Sequence, residues 1–447
     1  MNGGTWTPGV EKERAGIYFR FISAANRRIR AGIRGRVALP LVLSWGESKK
    51  FFEITEPSDT QSKFGLDIDD PSLLLLREAK KRSLTVLGYR LNEGEKATAS
   101  LGTDVTATAA HSGEKGNDIL IRIGTNVLDE TKKDVIVYFG LNQVDRQTVA
   151  DAKDFVPNKY MSIDGTGPLE DTAGIKLKGG TDGTTTNLDY ADFLAAAETE
   201  FWDTIGLPVE AEDELKVTFA SFVRRLRDQQ GVKVQGVLAN SPADFEGIIN
   251  VTNGAVLPEK TLTPAETVAW VAGASAGATI YQSLTFVEYE GAIDVNPRYD
   301  HDETVARLRK GEFMFTYDPR EKVVTVEKDI NSFVSFSSLK DKKFSKNKIM
   351  RIFDGINNDL TREVKAEIKS RKDRGQDIPT DDDGIQILTT MITIYMNILQ
   401  EGGAIKNFVA TEDINITINE DGDGFFINIG VQPVDSGEKF YFGIEAR

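Results

Sequence analysis

Residues 174–190 read GIKLKGGTDGTTTNLDY. How this stretch is read decides how the chain divides. A strand-like run enters a turn built from Gly179, Gly180, Asp182 and Gly183, and three threonines lead into a helical pattern. Upstream, from about residue 93, short apolar runs alternate with Gly, Asp and Asn (KATASLGTDVTATAAH, NDILIRIGTNVL, KKDVIVYFGLNQV). That is the texture of a small β-sandwich. Downstream, helices alternate with strands. The stretch is therefore a seam where a β-rich insertion hands the chain back to an α/β body. Glycine-rich turns ahead of helices also hold phosphate, but the spacing here opposes it. A P-loop needs a lysine after its last glycine, and Thr184 follows Gly183; the G-x-G-x-x-G dinucleotide pattern is absent. Asp182 alone does not make a calcium loop.

Working outward, the α/β body comprises residues 23–92 and 183–335. RVALPLVL (36–43) is a strand, and Pro40 predicts an edge or bulged position for it. Asp70 and Pro71 open a helix as cap and first residue. After the seam, LDYADFLAAAETEFWDTIG is a helix capped by Asn187 or Asp189, and AEDELKVTFASFVRRLRDQQ is an amphipathic helix ended by Gly231. VKVQGVLA is apolar enough for a strand buried on both faces. Thr263, Pro264 and Glu266 form a capping box ahead of VAWVAGASAGATIY, and a hairpin turns at Asp318-Pro319. Residues 336–435 form a last unit, with helices at about 345–370 and 384–401 followed by strands.

Both ends carry short apolar strands. GIYFRFI places Ile17, Phe19 and Phe21 on one face, with Tyr18 and Arg20 on the other; EKFYFGIEA places Phe440, Phe442 and Ile444 together, with Tyr441 opposite. Such strands have few local partners, so they pair with something distant or with another chain. The fold class is α+β multidomain: an α/β central domain, an inserted β-rich, sandwich-like domain (93–182), an α+β C-terminal domain, and extended β arms at 1–22 and 436–447.

Composition excludes several function classes. A net charge of −15 opposes general nucleic-acid binding, and the absence of cysteine excludes disulfides and thiolate chemistry. The first sixteen residues contain no apolar core of a secretory signal. TVAWVAGASAGATIYQSLTF has the length of a membrane span, but its Ala, Gly, Ser and Thr content reads as a buried helix. GASAG (273–277) matches the G-x-S-x-G nucleophile elbow, and Asp294 or Asp300 with His301 follow in triad order. A serine hydrolase using Ser275 and His301 is thus one alternative. The capping box opposes it, because it places Ser275 about three turns into a helix, where the glycines serve close packing. NEDGDGFFINIG puts Asn419, Asp421, Asp423 and Gly424 at EF-hand positions, but Gly430 stands where the bidentate glutamate belongs, so a hairpin turn is the reading. His111 and His301 fall in different units, which leaves a histidine metal site unsupported. An envelope- or glycan-binding surface protein acting through 93–182 is a further alternative. No cofactor is expected.

Charge is unevenly spread. Residues 340–374 hold twelve lysines and arginines against six acids, in a chain that is acidic overall. Such asymmetry favours docking on an acidic surface.

In order along the chain, TWTPGVEKERAGIYFRF, RVALPLVLSWG, LKGGTDGTTTNLDYADFL, TVAWVAGASAGATIYQSLT, LRKGEFMFTYDPREKVVTVEKDINSF, FSKNKIMRIFDGINNDL and VQPVDSGEKFYFGIEA resemble segments of one family. It is the tail sheath protein family of contractile bacteriophage tails and phage-tail-like particles, in the form found in phages and prophages of Gram-positive bacteria. Residues 371–384 match it only loosely. The resemblance implies a structural protein, not an enzyme, without cofactor, nucleic acid or membrane insertion. Its partners would be copies of itself in helically stacked six-subunit rings, the tail tube protein, and baseplate and tail terminator proteins. It would assemble in the bacterial cytoplasm and reside in a virion tail or tail-like particle. On contraction the sheath would drive the tube through the target envelope. The arms Ile17–Phe21 and Phe440–Ile444 would complete sheets in neighbouring subunits. Lys342, Lys343, Lys346, Lys348, Lys365, Lys369, Arg371 and Lys372 would face the tube.

Overall fold

The computed structural model describes residues 34–446, so the predicted arm with Ile17, Tyr18, Phe19, Arg20 and Phe21 lies outside the described residues. The described chain opens with β1 (Arg36–Leu41), β2 (Phe51–Ile54), α1 (Asp59–Phe64), α2 (Leu74–Lys80) and β3 (Thr85–Arg90). Asp70 caps the turn ahead of α2, accepting from the Ser72 amide at 2.9 Å.

Seven strands follow: β4 (Lys96–Gly102), β5 (Val105–Ser112), β6 (Ile119–Thr125), β7 (Lys133–Phe139), β8 (Asn142–Val149), β9 (Met161–Gly165) and β10 (Thr172–Lys176). They form two antiparallel sheets, ordered β4-β5-β9 and β10-β6-β7-β8. Alternation is the cause. Ile119, Ile121 and Ile123 of β6 are buried opposite Phe139, Val137 and Val135 of β7, while Arg122 points out.

The chain then returns through α3 (Asn187–Ala197), β11 (Thr204–Gly206), α4 (Asp213–Asp228), β12 (Gln235–Ala239), β13 (Ile248–Val251), β14 (Gly254–Val256) and α5 (Pro264–Gly277). It continues through β15 (Asp294–Asn296), α6 (His301–Arg309), β16 (Glu312–Phe313), β17 (Phe315–Asp318) and β18 (Val323–Val326). One seven-stranded sheet, ordered β16-β13-β12-β11-β1-β3-β2, gathers both halves of the body, and all of its pairings are parallel except β2 with β3. Val37, Leu39, Val237 and Ile249 pack on the α2–α5 side; Ala38, Leu238 and Ile248 pack on the α3–α4 side. Helices thus cover both faces. The predicted hairpin is present as β17 and β18.

Two expectations need correction. β1 is a central strand, not an edge. Its pairing with β11 covers only Val37 and Ala38, whereas β3 follows it to Leu41. The Arg36 carbonyl accepts from Asp203 on the β11 side and the Leu41 carbonyl from Leu91 on the β3 side. Pro40 therefore faces β11 after pairing there has ended, and its missing N–H leaves no ladder bond unmade. The cap of α3 is also neither Asn187 nor Asp189. Thr186 caps it, and the Asp189 carboxylate, three residues on, accepts from the Thr186 amide at 2.6 Å. Thr263 and Glu266 form the expected box on α5, with reciprocal bonds of 3.2 and 3.0 Å.

The last unit holds α7 (Asn347–Lys372), α8 (Asp382–Glu401), α9 (Ala410–Asp413) and a hairpin of β19 (Ile414–Ile418) and β20 (Phe425–Ile429). Ile349 and Ile352 of α7 pack on Ile392, Tyr395, Met396 and Leu399 of α8. Asn419 closes the hairpin turn by accepting from the amides of Asp423 and Gly424 at 3.0 and 2.9 Å. Among the described residues, no helix is long and apolar enough to cross a membrane.

Candidate assembly surfaces

Ser275 is fully buried inside α5, and its hydroxyl donates to Gln235 Oε1 at 3.2 Å. Gln235 donates to Asn347 Oδ1 at 3.1 Å, and Asn347 to Asp329 Oδ1 at 2.9 Å. The other Asp329 oxygen accepts from Arg351 at 2.6 Å. A buried polar chain thus runs from α5 through β12 into α7. Nearby, Arg227 and Asp354 make a buried bidentate pair at 2.7 and 2.8 Å. These groups are desolvated, so each relies on its partner. His301 sits exposed at the start of α6. Ser275 occupies no elbow. Ser275→Ala should cost only about 1 kcal/mol, and a serine-reactive phosphonate should leave Ser275 unlabelled by peptide mass mapping.

The seam lies at the carboxyl end of the parallel sheet, where α/β proteins commonly bind ligands. Here that end is closed by the chain itself. Asn92 accepts from the Leu43 amide and donates to the Leu43 carbonyl, both at 2.9 Å, and donates to the Asp182 carbonyl at 2.7 Å. The Asp182 carboxylate accepts from Ser44 Oγ and the Glu114 amide, each at 2.8 Å. Buried Arg90 donates to the Gly46 carbonyl at 2.6 Å and to the Ser112 carbonyl at 2.9 Å, tying body to sandwich. Trp45 packs against His111 and Phe139 of the sandwich. Gly183 has a φ of 71°, and a Cβ there would lie 2.3 Å from the Glu93 carbonyl oxygen, so this crossing needs glycine.

The C-terminal segment is rooted before it becomes free. Lys346 lies 2.5 Å from Asp435 and 3.0 Å from Glu438. Lys348 donates to Ser436 Oγ at 3.1 Å, Thr285 donates to Glu438 at 3.1 Å, and Lys328 stands 4.0 Å from Glu438. Burial lowers the pKa of Lys328 and of Lys348; at Lys346, hydrogen bonds to Asp435 and Glu438 outweigh burial and raise it. Beyond this clasp, Phe440, Tyr441, Phe442 and Ile444 are 70, 88, 86 and 92% exposed, and they join no strand ladder among the described residues. The β19–β20 hairpin is complementary. Its strands pair only with each other among the described residues, and Phe426, Ile427 and Ile418 are exposed.

The structure divides the predicted basic region. The ammonium groups of Lys346 and Lys348, expected at the tube face, are engaged in the clasp with the chain's own C-terminal segment. Lys342 and Lys343 precede α7 on the surface. Lys365, Lys369, Arg371 and Lys372 lie in its second half, with Arg371 paired to Glu367 at 2.8 Å and Lys372 paired to Asp377. Lys365 and Lys369 form no ion pair among the described residues. Sequence reading missed the partners Thr285, Lys328 and Glu438; VDSGEK carries no local signal that it meets a helix far upstream.

Four family models match the chain in succession: the tail sheath protein Gp18 domain III N-terminal region over 34–91, the phage tail sheath protein beta-sandwich domain over 92–182, the central domain over 183–332 and the C-terminal domain over 339–447. The phage-like element PBSX protein XkdK of Bacillus subtilis is 57% identical over 100% of both chains. The crystal structure of the sheath tail protein Lin1278 from Listeria innocua shares 51% identity, with a TM-score of 0.82 over 93% of this chain and 95% of that one. The sheath tail protein DSY3957 from Desulfitobacterium hafniense shares 43% identity, with a TM-score of 0.85 over 96% of this chain and 99% of that one. The helical sheath of the anti-feeding prophage in its contracted state has the same fold at 11% identity, with a TM-score of 0.57 over 97% of this chain and 99% of that one. Matched along its whole length in this way, the chain belongs to the phage tail sheath family and is a structural subunit of a contractile tail sheath.

Proposed function

We propose that the subunit polymerises through its ends, as helically stacked six-subunit rings around a tail tube. What carries this reading is the pairing of opposites within one chain: a rooted, exposed apolar segment at Phe440–Ile444 and a hairpin with open edges at β19–β20. A two-stranded hairpin is marginal by itself. A neighbour's segment added to it gains directional main-chain bonds, with alternate side chains filling pockets. Donor and acceptor are different surfaces, so the contact need not close on itself and can propagate as a helix. Ile17–Phe21 serves as the second donor. Subunits then rotate as rigid bodies while strand pairing persists. The extended sheath stores free energy behind a barrier, and contraction drives the tube through the target envelope. Partners are copies of this chain, the tube protein, and baseplate and terminator proteins, with assembly in the bacterial cytoplasm. No catalytic group or cofactor takes part. Electron microscopy of the purified protein at rising concentration should show striated tubes; a monomer under every condition, with or without tubes, would overturn the reading.

Lys342, Lys343, Lys365 and Lys369 are the residues assigned to the tube. Reversing all four to glutamate should lower co-sedimentation with tubes roughly tenfold or more at low salt, where attraction is least screened. Unchanged co-sedimentation would remove the tube assignment and leave the self-assembly reading standing.

A further inference from the structure

A groove of about 430 Å³ opens between the ends of α3 and α4 and the middle of α7. Trp202, Leu226 and Val234 in its floor are buried, but Phe201 and Val232 stay 63% and 45% exposed. Thr361 and Lys365 form the far wall, and exposed Ile368 continues that helix face. A contiguous apolar surface of this kind marks a place that something covers.

The mouth of the groove is where the described chain begins. Asp203, next to Trp202, accepts from the amides of Gly35 and Arg36 at 2.8 and 3.0 Å, with the Arg34 guanidinium 3.7 Å away. Arg36 Nε donates to the Phe201 carbonyl at 2.9 Å. The described chain therefore begins, at Arg34, beside Phe201 and Trp202. Residues 23–33, just before it, read SAANRRIRAGI: Ile29 and Ile33 stand four apart among Arg27, Arg28 and Arg30. The rim carries Glu200, exposed, and Glu198, which is paired with Arg225, opposite Arg362 and Lys365 of α7.

We propose that residues 23–33 of this same chain occupy the groove, with Ile29 and Ile33 over Phe201 and Val232 and the arginines toward Glu198 and Glu200. The reach suffices. Eleven extended residues span about 36 Å, against about 15 Å of helix from Asn358 to Ile368. The predicted N-terminal arm would then leave from the flank of α7 and not from the sheet.

Limited trypsin digestion of the full-length monomer, followed by mass spectrometry, tests this. Lys12 and Arg14 of the same chain are the internal reference. Initial cleavage after Arg27, Arg28 and Arg30 is expected to be roughly tenfold slower than after Lys12 and Arg14, because a docked segment must open first. Phe201→Asp with Val232→Asp alters exposed side chains, so the melting temperature should hold while cleavage at the three arginines rises to the reference rate. Equal rates in the unaltered chain would overturn the proposal, and so would protection that survives in the double variant. Protection that grows with protein concentration would identify a second copy's segment as the occupant and likewise overturn docking within one chain.

Discussion

A chain shortened to end at Glu438 is expected to fold as the full chain does and to form no sheath. The residues removed include Phe440, Tyr441, Phe442 and Ile444, which cover almost nothing in their own subunit. Their loss should therefore move the melting temperature by no more than a degree or two, as for other exposed changes. In the polymer the same residues would supply the strand that completes a neighbour's hairpin. Without them, material pelleting as tubes should fall to background. A longer deletion, from Ser436 onward, separates the two roles. It also removes Ser436 and Glu438, leaving Lys328, Lys346 and Lys348 clustered without Glu438, and should cost about 1–3 kcal/mol of subunit stability. Normal tubes from the shorter deletion would defeat the connector reading. A large loss of stability from it would mean that the exposed segment supports its own fold.

Gly273→Ala should be among the most damaging single changes in the body. Helix propensity alone predicts the opposite, since alanine in place of a mid-helix glycine gains about 1 kcal/mol. The geometry reverses the sign. A Cβ on Gly273 would lie 2.1 Å from the Ala79 carbonyl oxygen, and one on Gly277 would lie 1.8 Å from that of Arg82. Both contacts are backbone, so no side chain can swing aside, and α2 would have to lift from α5. Overpacking of this kind costs about 1–3 kcal/mol and occasionally more, a large share of the roughly 5–15 kcal/mol that holds a domain folded. Denaturant unfolding of Gly273→Ala beside Ser275→Ala makes the comparison within one helix. A stabilised Gly273→Ala would show that the small residues of α5 are there for some reason other than close approach.

What the sequence revealed depended on range. Period-two alternation found the sandwich, and the Thr263 box placed Ser275 inside a helix, which disposed of the nucleophile elbow. Those signals are local. Pro40 misled because a proline reports only that one N–H is missing; which neighbour would have wanted it depends on where β11 stops. Capping of α3 shifted by one residue because Thr186 and Asp189 act as a pair. The basic stretch hid part of its own pairing. Counting charge in a window cannot see partners 88 and 92 residues away, where Ser436 and Glu438 meet Lys348 and Lys346. The exposed segment Phe440–Ile444 was visible as an apolar run with nothing nearby to bury it. The clasp that roots it was not.

The chain of buried partners from Ser275 through Gln235, Asn347 and Asp329 to Arg351, with Arg227–Asp354 beside it, has a mechanical meaning. Removing one member of a buried ion pair costs about 3–5 kcal/mol, so a pull that separates α7 from the sheet must break several such contacts together. All of these contacts lie within one subunit. The subunit is braced in its middle, while Phe440–Ile444 lies exposed beyond the clasp. Force applied to one subunit would then pass through it with little lost to bending between α7 and the body.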